Sequence, residues 1–237
     1  MPQHYFISRR VSNASPGLRN VAWRFEALLV RCTFWLLGTL SLERSTKIAS
    51  ALFRFIGPHL STGRTARRNL ALAFPDKDQQ EIDELTRGVL SSLGTDVVEL
   101  IHIKSIWDKR DTRLEFAVED GAQPCPDQKQ PKVYITAHVG AWQLTTFVAA
   151  HYGLSASIIY APDSNPYLQG VFLKLRSAFP CRLVSRDGGM RSLVRELKAG
   201  NSIGLTIDTR LDGGEMIPFF GIDAPTNTAP ARLALRY

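Results

Sequence analysis

The chain has 237 residues, of which 44% are apolar and 22% are charged. This length and composition predict one large globular domain, or a domain with a helical appendage, and exclude a disordered chain. The three cysteines are far apart and form no CxxC pair, which argues against a disulfide framework and against a zinc site. They are Cys32, Cys125 and Cys181.

The net charge of +7 is concentrated at one end of the chain. Residues 1–70 contain eleven Lys or Arg and two acidic residues, whereas the remaining 167 residues contain 18 basic and 20 acidic ones. A charge distribution this uneven predicts that the N-terminal part faces an anionic partner. Nucleic acid, an anionic membrane and an acidic protein are the three candidates.

The segment 21–60 narrows these candidates, because its arginines alternate with Trp, Phe and Leu. Its uncharged apolar part, Cys32 to Leu42, has about eleven residues, fewer than the roughly 20 that a membrane-spanning helix needs. We predict a helix in the membrane interface, with arginines reaching the lipid head groups. The alternative is an amphipathic helix packed on the rest of the protein. No helix-turn-helix, RRM or zinc-finger signature is present, so nucleic acid is not expected as a partner.

Further helices are predicted up to about residue 105. After a break at 74–76, Asp78 and Glu81 have the spacing of a capping box, which predicts that a helix begins there. Apolar residues then recur with helical period over 82–101. We therefore assign residues 1–110 to a basic helical region at the membrane interface. A turn-rich stretch, 119–131, follows it.

Residues 111–237 have the pattern of an α/β domain. Short β-type runs alternate with helical segments near 143–151, 167–179 and 189–198, which predicts a mostly parallel sheet flanked by helices. In such sheets the functional groups lie at the carboxyl ends of the strands. The predicted strands are Val133 to Ala137, Ser157 to Tyr160, Arg182 to Ser185 and Ser202 to Ile207.

Three polar residues occupy suitable positions in this pattern. His138 follows the first strand, Asp208 follows the fourth, and Arg176 lies in the helix after the second strand. Histidine is well suited to take a proton from a hydroxyl group near neutral pH. The residues alone leave structural interpretations open: a structural histidine, a turn cap for Asp208 and a solvated helix face for Arg176.

The run ITAHVGAWQL resembles the His-x4-Glu (or Asp) block of the bacterial lipid A biosynthesis acyltransferases, the lauroyl and myristoyl transferases of the lysophospholipid acyltransferase superfamily. Other blocks are similar to those of the family in the same order, over about residues 20 to 237. They are Arg68-Asn69-Leu70 to Phe74-Pro75, Tyr160 to Pro166, Arg176, Leu197 to Gly200, Asp208, Pro218-Phe219-Phe220-Gly221 and Thr228 to Leu235.

The resemblance implies acyl transfer from a thioester of acyl carrier protein, or of coenzyme A, to a hydroxyl group of a lipid. His138 is the implied base, and Gln143 stands at the position of the acidic residue that orients it. We assign Arg176, Asp208 and Arg210 to substrate binding, with Arg176 facing phosphate on the acceptor. No metal and no cofactor is implied beyond the thioester co-substrate.

The chain departs from the family pattern at Gln143, because a neutral amide cannot stabilise an imidazolium as a carboxylate does. Its last residues, APARLALRY, have the pattern of an apolar helix without a capping residue. The resemblance implies further strands and helices beyond this point, so we expect the α/β acyltransferase domain of residues 111–237 to be truncated at its C-terminus. These departures leave open whether the chain turns over or binds lipid without turnover.

The expected function is acylation of a lipid A precursor or related glycolipid at the cytoplasmic side of the bacterial inner membrane. The expected partners are that lipid acceptor, acyl carrier protein and an anionic membrane surface. Two alternatives remain at this stage. One is acylation of another lipid, such as a lysophospholipid or an ornithine lipid, and the other is a catalytically impaired, lipid-binding relative.

Overall fold

The computed structural model describes residues 15–117, 130–153, 155–209 and 211–237. The predicted turn-rich stretch at 119–131 lies mostly outside these residues, as does Cys125. The N-terminal part is helical, as predicted, and includes one 3₁₀ turn, Gly57–His59. Its α-helices are α1 (Pro16–Thr39), α2 (Leu42–Ile56), α3 (Ser61–Ala73), α4 (Gln79–Asp108) and α5 (Arg110–Arg113).

Helix α4 organises this part, and its start confirms the predicted capping box. The Asp78 carboxylate accepts a hydrogen bond from the Glu81 N–H at 2.9 Å, and the Glu81 carboxylate accepts one from the Asp78 N–H at 3.0 Å. Helices α2 and α4 pack closely at Gly94. A Cβ atom at this position would lie only 2.6 Å from the Ala49 carbonyl oxygen, so the contact requires glycine. The thirty residues of α4 extend over about 45 Å.

The second part is an α/β unit, as predicted, with four parallel strands in the order β1-β4-β2-β3. An antiparallel hairpin of two further strands, β5 (Glu215–Phe219) and β6 (Ile222–Thr226), was not predicted. The sheet strands are β1 (Val133–Thr136), β2 (Ala156–Tyr160), β3 (Arg182–Ser185) and β4 (Ser202–Thr206). The helices are α6 (Thr145–His151), α7 (Pro166–Arg176), α8 (Gly189–Lys198) and α9 (Ala229–Arg236).

The two faces of the sheet have different cores. On one face Ile203 and Leu205 pack against α8 and α9. On the other face Phe147 and Phe179 pack against Leu100 and other residues of α4. Helix α4 therefore belongs both to the N-terminal helical part and to the core of the α/β unit.

Helix α1 is held on helix α7 by a buried polar cluster around Asn165, whose side chain is 1% exposed. The Asn165 amide donates to the Trp23 carbonyl oxygen and to the Glu26 carboxylate, both at 2.9 Å. Its oxygen accepts from the Tyr167 N–H at 3.0 Å. Burial raises the pKa of Glu26, and the hydrogen bond from Asn165 opposes this effect in part.

No helix in the described part of the chain is both long enough and apolar enough to cross a bilayer.

Candidate active site

The register of β1 and β4 brings His138 and Asp208 together. These strands are neighbours, with Thr136 opposite Thr206, and the ladder continues where the Ile207 N–H donates to the Thr136 carbonyl oxygen at 3.0 Å. His138 and Asp208 each follow two residues after the paired threonines. They therefore stand level on adjacent parallel strands, which are about 4.8 Å apart.

The Asp208 carboxylate binds His138 through both of its oxygen atoms. Oδ1 lies 2.8 Å from the imidazole Nδ1, and Oδ2 accepts a hydrogen bond from the His138 backbone N–H at 2.7 Å. A carboxylate accepts only, so the ring proton resides on Nδ1 and the lone pair of Nε2 is available as a base. Both side chains are partly exposed, so a substrate hydroxyl group can approach.

The electrostatics of the pair favour an ionised Asp208. Partial burial by itself raises the pKa of this carboxyl group, but hydrogen bonds from the backbone and ring of His138 outweigh that effect and leave the pKa below its usual value. The carboxylate consequently stays charged at neutral and mildly acidic pH, where it can stabilise a protonated imidazole.

Gln143 lies in a different environment. Its side chain is buried, and its amide donates to the backbone carbonyl oxygen of Asp96 on α4 at 3.2 Å. The carboxyl groups of Asp96 and Glu99, on the same helix, are partly buried, and burial raises the pKa of each, although His138 opposes this effect at Asp96. Position 143 thus joins the His138 loop to α4, while the partner of the imidazole in this structure is Asp208.

Arg176 also lies near the carboxyl edge of the sheet, at the end of α7. Its guanidinium group is 5.8 Å from the ring centroid of Tyr160, the last residue of β2, and 5.7 Å from that of Phe172. Burial lowers the pKa of Arg176, although Asp163 opposes the effect. Within the described residues its guanidinium forms no ion pair. Arg210, the remaining predicted substrate-binding residue, lies outside the described residues.

A mainly apolar cavity of about 300 Å³ lies between the sheet and α6, next to the His138–Asp208 pair. The indole ring of Trp142 lines this cavity and also makes an edge-to-face contact with the His138 ring, with 4.6 Å between the ring centroids. Several small side chains of the sheet face this cavity, whereas Ile203 packs in the core on the other face. The small residues that line it are Thr136, Ala149, Ala156, Gly204 and Thr206.

Over residues 19–237 the sequence matches the family described as bacterial lipid A biosynthesis acyltransferase. The chain belongs to that family. This acyltransferase therefore has an acyl donor and a lipid acceptor as its substrates. No curated protein matches the sequence closely enough to count as a relative.

Two features of the acyltransferase site were not predicted from its sequence. The pairing of Asp208 with His138 was missed, because Asp208 was assigned to substrate binding. The sequence did indicate that both residues immediately follow strands of one parallel sheet. It did not indicate that these two strands are neighbours, because the order of strands in a sheet cannot be read from short β-type runs. Asp96 and Glu99 gave no signal, because a charged residue on a helix is usually exposed.

Proposed function

We propose that this acyltransferase moves a fatty acyl group from a thioester of acyl carrier protein to a hydroxyl group of a lipid A precursor or related glycolipid. The observation that carries the chemistry is the contact between Asp208 and the His138 ring, which leaves Nε2 free to act as a base. The donor and the acceptor are inferred from family membership, the basic N-terminal part and Arg176.

The reaction follows from this geometry. His138 Nε2 takes the proton of the acceptor hydroxyl group as its oxygen attacks the thioester carbonyl carbon. Asp208 stabilises the resulting imidazolium. Collapse of the tetrahedral intermediate breaks the C–S bond, and the imidazolium returns the proton to the leaving thiolate. The products are an ester and a free thiol, so neither a metal nor an oxidant takes part in this scheme.

The cavity beneath the pair is the proposed site of the fatty acyl chain. It reaches the lower end of the volume range of small-molecule pockets. Each methylene group transferred there from water contributes about 0.8 kcal/mol. A chain lying in this cavity would present its carbonyl carbon near His138, because Trp142 contacts both the cavity and the imidazole.

Partial filling of the cavity is expected to shorten the preferred acyl chain. Ala149 lines the cavity from α6, and Ala149→Leu adds three carbon atoms to the lining. We expect the ratio of kcat/KM for long over short acyl donors to fall about tenfold, since two or three displaced methylene groups are worth that much or more. Donors of eight to sixteen carbons measure this ratio. An unchanged chain-length profile would place the acyl chain elsewhere.

Cys181 gives a second measurement at the same cavity, because its thiol lies in the lining and burial raises its pKa to about 11. Bound acyl donor is expected to slow its alkylation further. Cys32 is exposed on α1 and serves as an internal control whose alkylation rate the donor leaves unchanged.

The position of Arg176 suits a phosphate group on the acceptor. A guanidinium held between aromatic rings, and free of ion pairs within the described residues, keeps its donors available for an anion. Its partial burial strengthens such a contact, since the lower local dielectric increases the attraction between opposite charges.

We further propose that α1 and α2 seat the enzyme on the cytoplasmic side of the inner membrane. Apart from Leu37, the residues that these helices bury are small or polar, and the helices expose large apolar residues, the reverse of a helix that faces water on its outer side. The buried residues include Glu26, Ala27, Ser45 and Ala49. The exposed ones include Val21, Phe25, Leu28, Trp35, Ile48, Leu52 and Phe55.

Arginines among these residues can reach anionic head groups, or an acidic carrier protein, from the same side. This proposal accounts for the excess of positive over negative charge in the first third of the chain.

The test is acyl transfer in purified membranes with radiolabelled acyl carrier protein thioester. A lipid A precursor, a lysophospholipid and an ornithine lipid are offered separately, and membranes without the enzyme are the control. Label in the lipid A precursor alone supports the proposal. Label in another lipid supports the alternative acceptor, and label in none of them, with membrane binding intact, supports the impaired relative.

Gln143→Glu is expected to weaken the fold without raising activity. The substitution removes the amide donor to the Asp96 carbonyl oxygen and places a buried carboxylate, which can only accept, against that acceptor. We expect a loss of about 1–3 kcal/mol in the free energy of unfolding, measured with urea. If Gln143→Glu instead increased the transfer rate, position 143 would be the missing acidic partner of His138 and the present chain a disabled form.

A further inference from the structure

The β5–β6 hairpin carries two aromatic rings at its tip. Phe219 and Phe220 are 64% and 57% exposed. Phe220 has a φ of 50°, in the left-handed region that aromatic residues avoid. The turn thus holds a large apolar ring towards solvent at a conformational cost, and the described residues provide no pocket for it.

The N-terminal helical part contributes to the same surface. Phe74, at the end of α3, packs edge-to-face on Phe220 with 6.0 Å between ring centroids. Leu72 in the last turn of α3 and two further hairpin residues are also exposed. We call this surface the hairpin patch: Leu72, Phe74, Met216, Phe219, Phe220 and Ile222.

Charges of both signs border the hairpin patch, with arginines on α3 and the exposed acidic residues Asp76, which follows Phe74, and Asp223. Helix α3 contains three arginines and no acidic residue, and Arg64 and Arg68 share one exposed helix face with Leu72. Arg67 is paired with Asp83. On the hairpin, Glu215 is paired with Arg232, and Asp223 is the remaining acidic residue. Arg68 lies about 9 Å along the helix from Phe74.

We propose that the hairpin patch inserts into an anionic lipid bilayer, with Arg64 and Arg68 at the level of the head groups, as a membrane contact additional to α1 and α2. The inference rests on the proposed function in that the acceptor is a membrane lipid. Exposed rings and leucine lie beside two arginines that form no ion pair within the described residues, and this combination is the chemistry of an interfacial lipid contact. An acidic protein would be recognised by the arginines but would leave the tip rings without a partner.

The experiment is flotation of the full chain with vesicles of phosphatidylcholine, with and without phosphatidylglycerol. Phe220→Asn removes the ring and suits the left-handed backbone, and Phe219→Thr suits the strand. Each is expected to weaken partitioning by about tenfold. Arg64→Gln with Arg68→Gln is expected to reduce the preference for phosphatidylglycerol by about tenfold, and the basic residues of α1 and α2 account for the preference that remains. Met190→Asn, at an exposed apolar position on α8, is the matched control and leaves partitioning unchanged.

Unchanged partitioning of Phe220→Asn and Phe219→Thr would overturn the proposal. So would weaker binding of acyl carrier protein by these variants with vesicle binding intact, since the patch would then be a protein interface. A variant that fails to fold would also change vesicle binding, so Phe220→Trp is measured as well, because it keeps an aromatic ring at the tip. Its added fluorescence is expected to be quenched by brominated lipid, and absence of that quenching would contradict insertion.

Transfer to an acceptor dispersed in detergent separates this proposal from the proposed function. Both proposals are supported if Phe219→Thr and Phe220→Asn transfer acyl groups normally in detergent but more slowly in vesicles. If no variant, nor the unaltered chain, transfers acyl groups while the differences in flotation persist, the proposed function fails and the lipid contact stands.

Discussion

His138→Ala is expected to reduce acyl transfer by about 10⁴-fold or more, because the attacking hydroxyl group then has no base and the leaving thiolate no acid. The side chain is exposed at the end of β1, so its removal leaves no cavity and the free energy of unfolding is expected to change little. The measurement is kcat with labelled donor, together with the urea midpoint. Retained turnover in a folded His138→Ala variant would exclude His138 as the base.

The partner variant Asp208→Asn tests the same pair more finely. Its side-chain oxygen can still accept from the His138 N–H, but the amide can also donate to Nδ1 and favour the wrong tautomer. We expect a loss of about 10²- to 10⁴-fold in kcat with little change in KM, by analogy with the serine-protease triad. Asp208→Glu is expected to recover part of the rate. A raised KM with an unchanged kcat would instead indicate that Asp208 binds substrate and does not orient His138.

The pair also predicts a pH dependence of stability. The pKa of Asp208 is lowered in the folded state, so the contact stabilises the fold above the ordinary pKa of an aspartate and this contribution is lost as the pH falls through the lowered value. Asp208→Asn is therefore expected to reduce the free energy of unfolding at pH 7, and this difference is expected to shrink as the pH falls below the ordinary pKa of an aspartate.

Asn165→Ala is expected to have the largest effect on stability, about 3–5 kcal/mol. The substitution removes two donors and one acceptor from a fully buried cluster and leaves the Glu26 carboxylate without its hydrogen bond. Urea unfolding at pH 7 measures the loss, and faster proteolysis within α1 is expected because the helix is released from α7. A change below 1 kcal/mol would show that α1 is held by its apolar contacts alone.

Glu26→Gln is the matched control for this cluster. The amide can still accept from Asn165, and it removes a charge from a buried site. Because burial raises the pKa of Glu26, the folded state binds its proton more tightly than the unfolded state does. The wild type therefore loses stability as the pH rises through the raised pKa. The gain from Glu26→Gln should be present at pH 7 and absent at pH 4.

Local patterns predicted the secondary structure well. The run 182–185 and the helix 189–198 were confirmed as β3 and α8, because alternating apolar residues and helical periods are local properties. The capping box at Asp78 was confirmed for the same reason. The hairpin was missed because all five residues of β5 are exposed, so the strand has no buried face to produce an alternating pattern.

The candidate site was predicted less completely, because it depends on contacts between distant residues. His138 was identified as the base from its position after a strand and from the family block, and it stays a prediction until tested. The role of Asp208 depends on β4 inserting next to β1, a strand order that no local pattern encodes. The hydrogen bond from Gln143 to Asp96 likewise joins residues 47 positions apart.

The length of α4 has a consequence for how the acceptor is reached. Its thirty residues pack on α2 along one part and on the core below the sheet along another, and one of its carbonyl groups holds the loop of His138. A continuous helix curves only gently, so it keeps the elements packed along its length at a nearly fixed distance from one another. With α1 and α2 seated on the membrane as proposed, this helix fixes the height of the imidazole above the lipid surface, and we expect acceptors to be sorted by how far their hydroxyl group stands out of the bilayer.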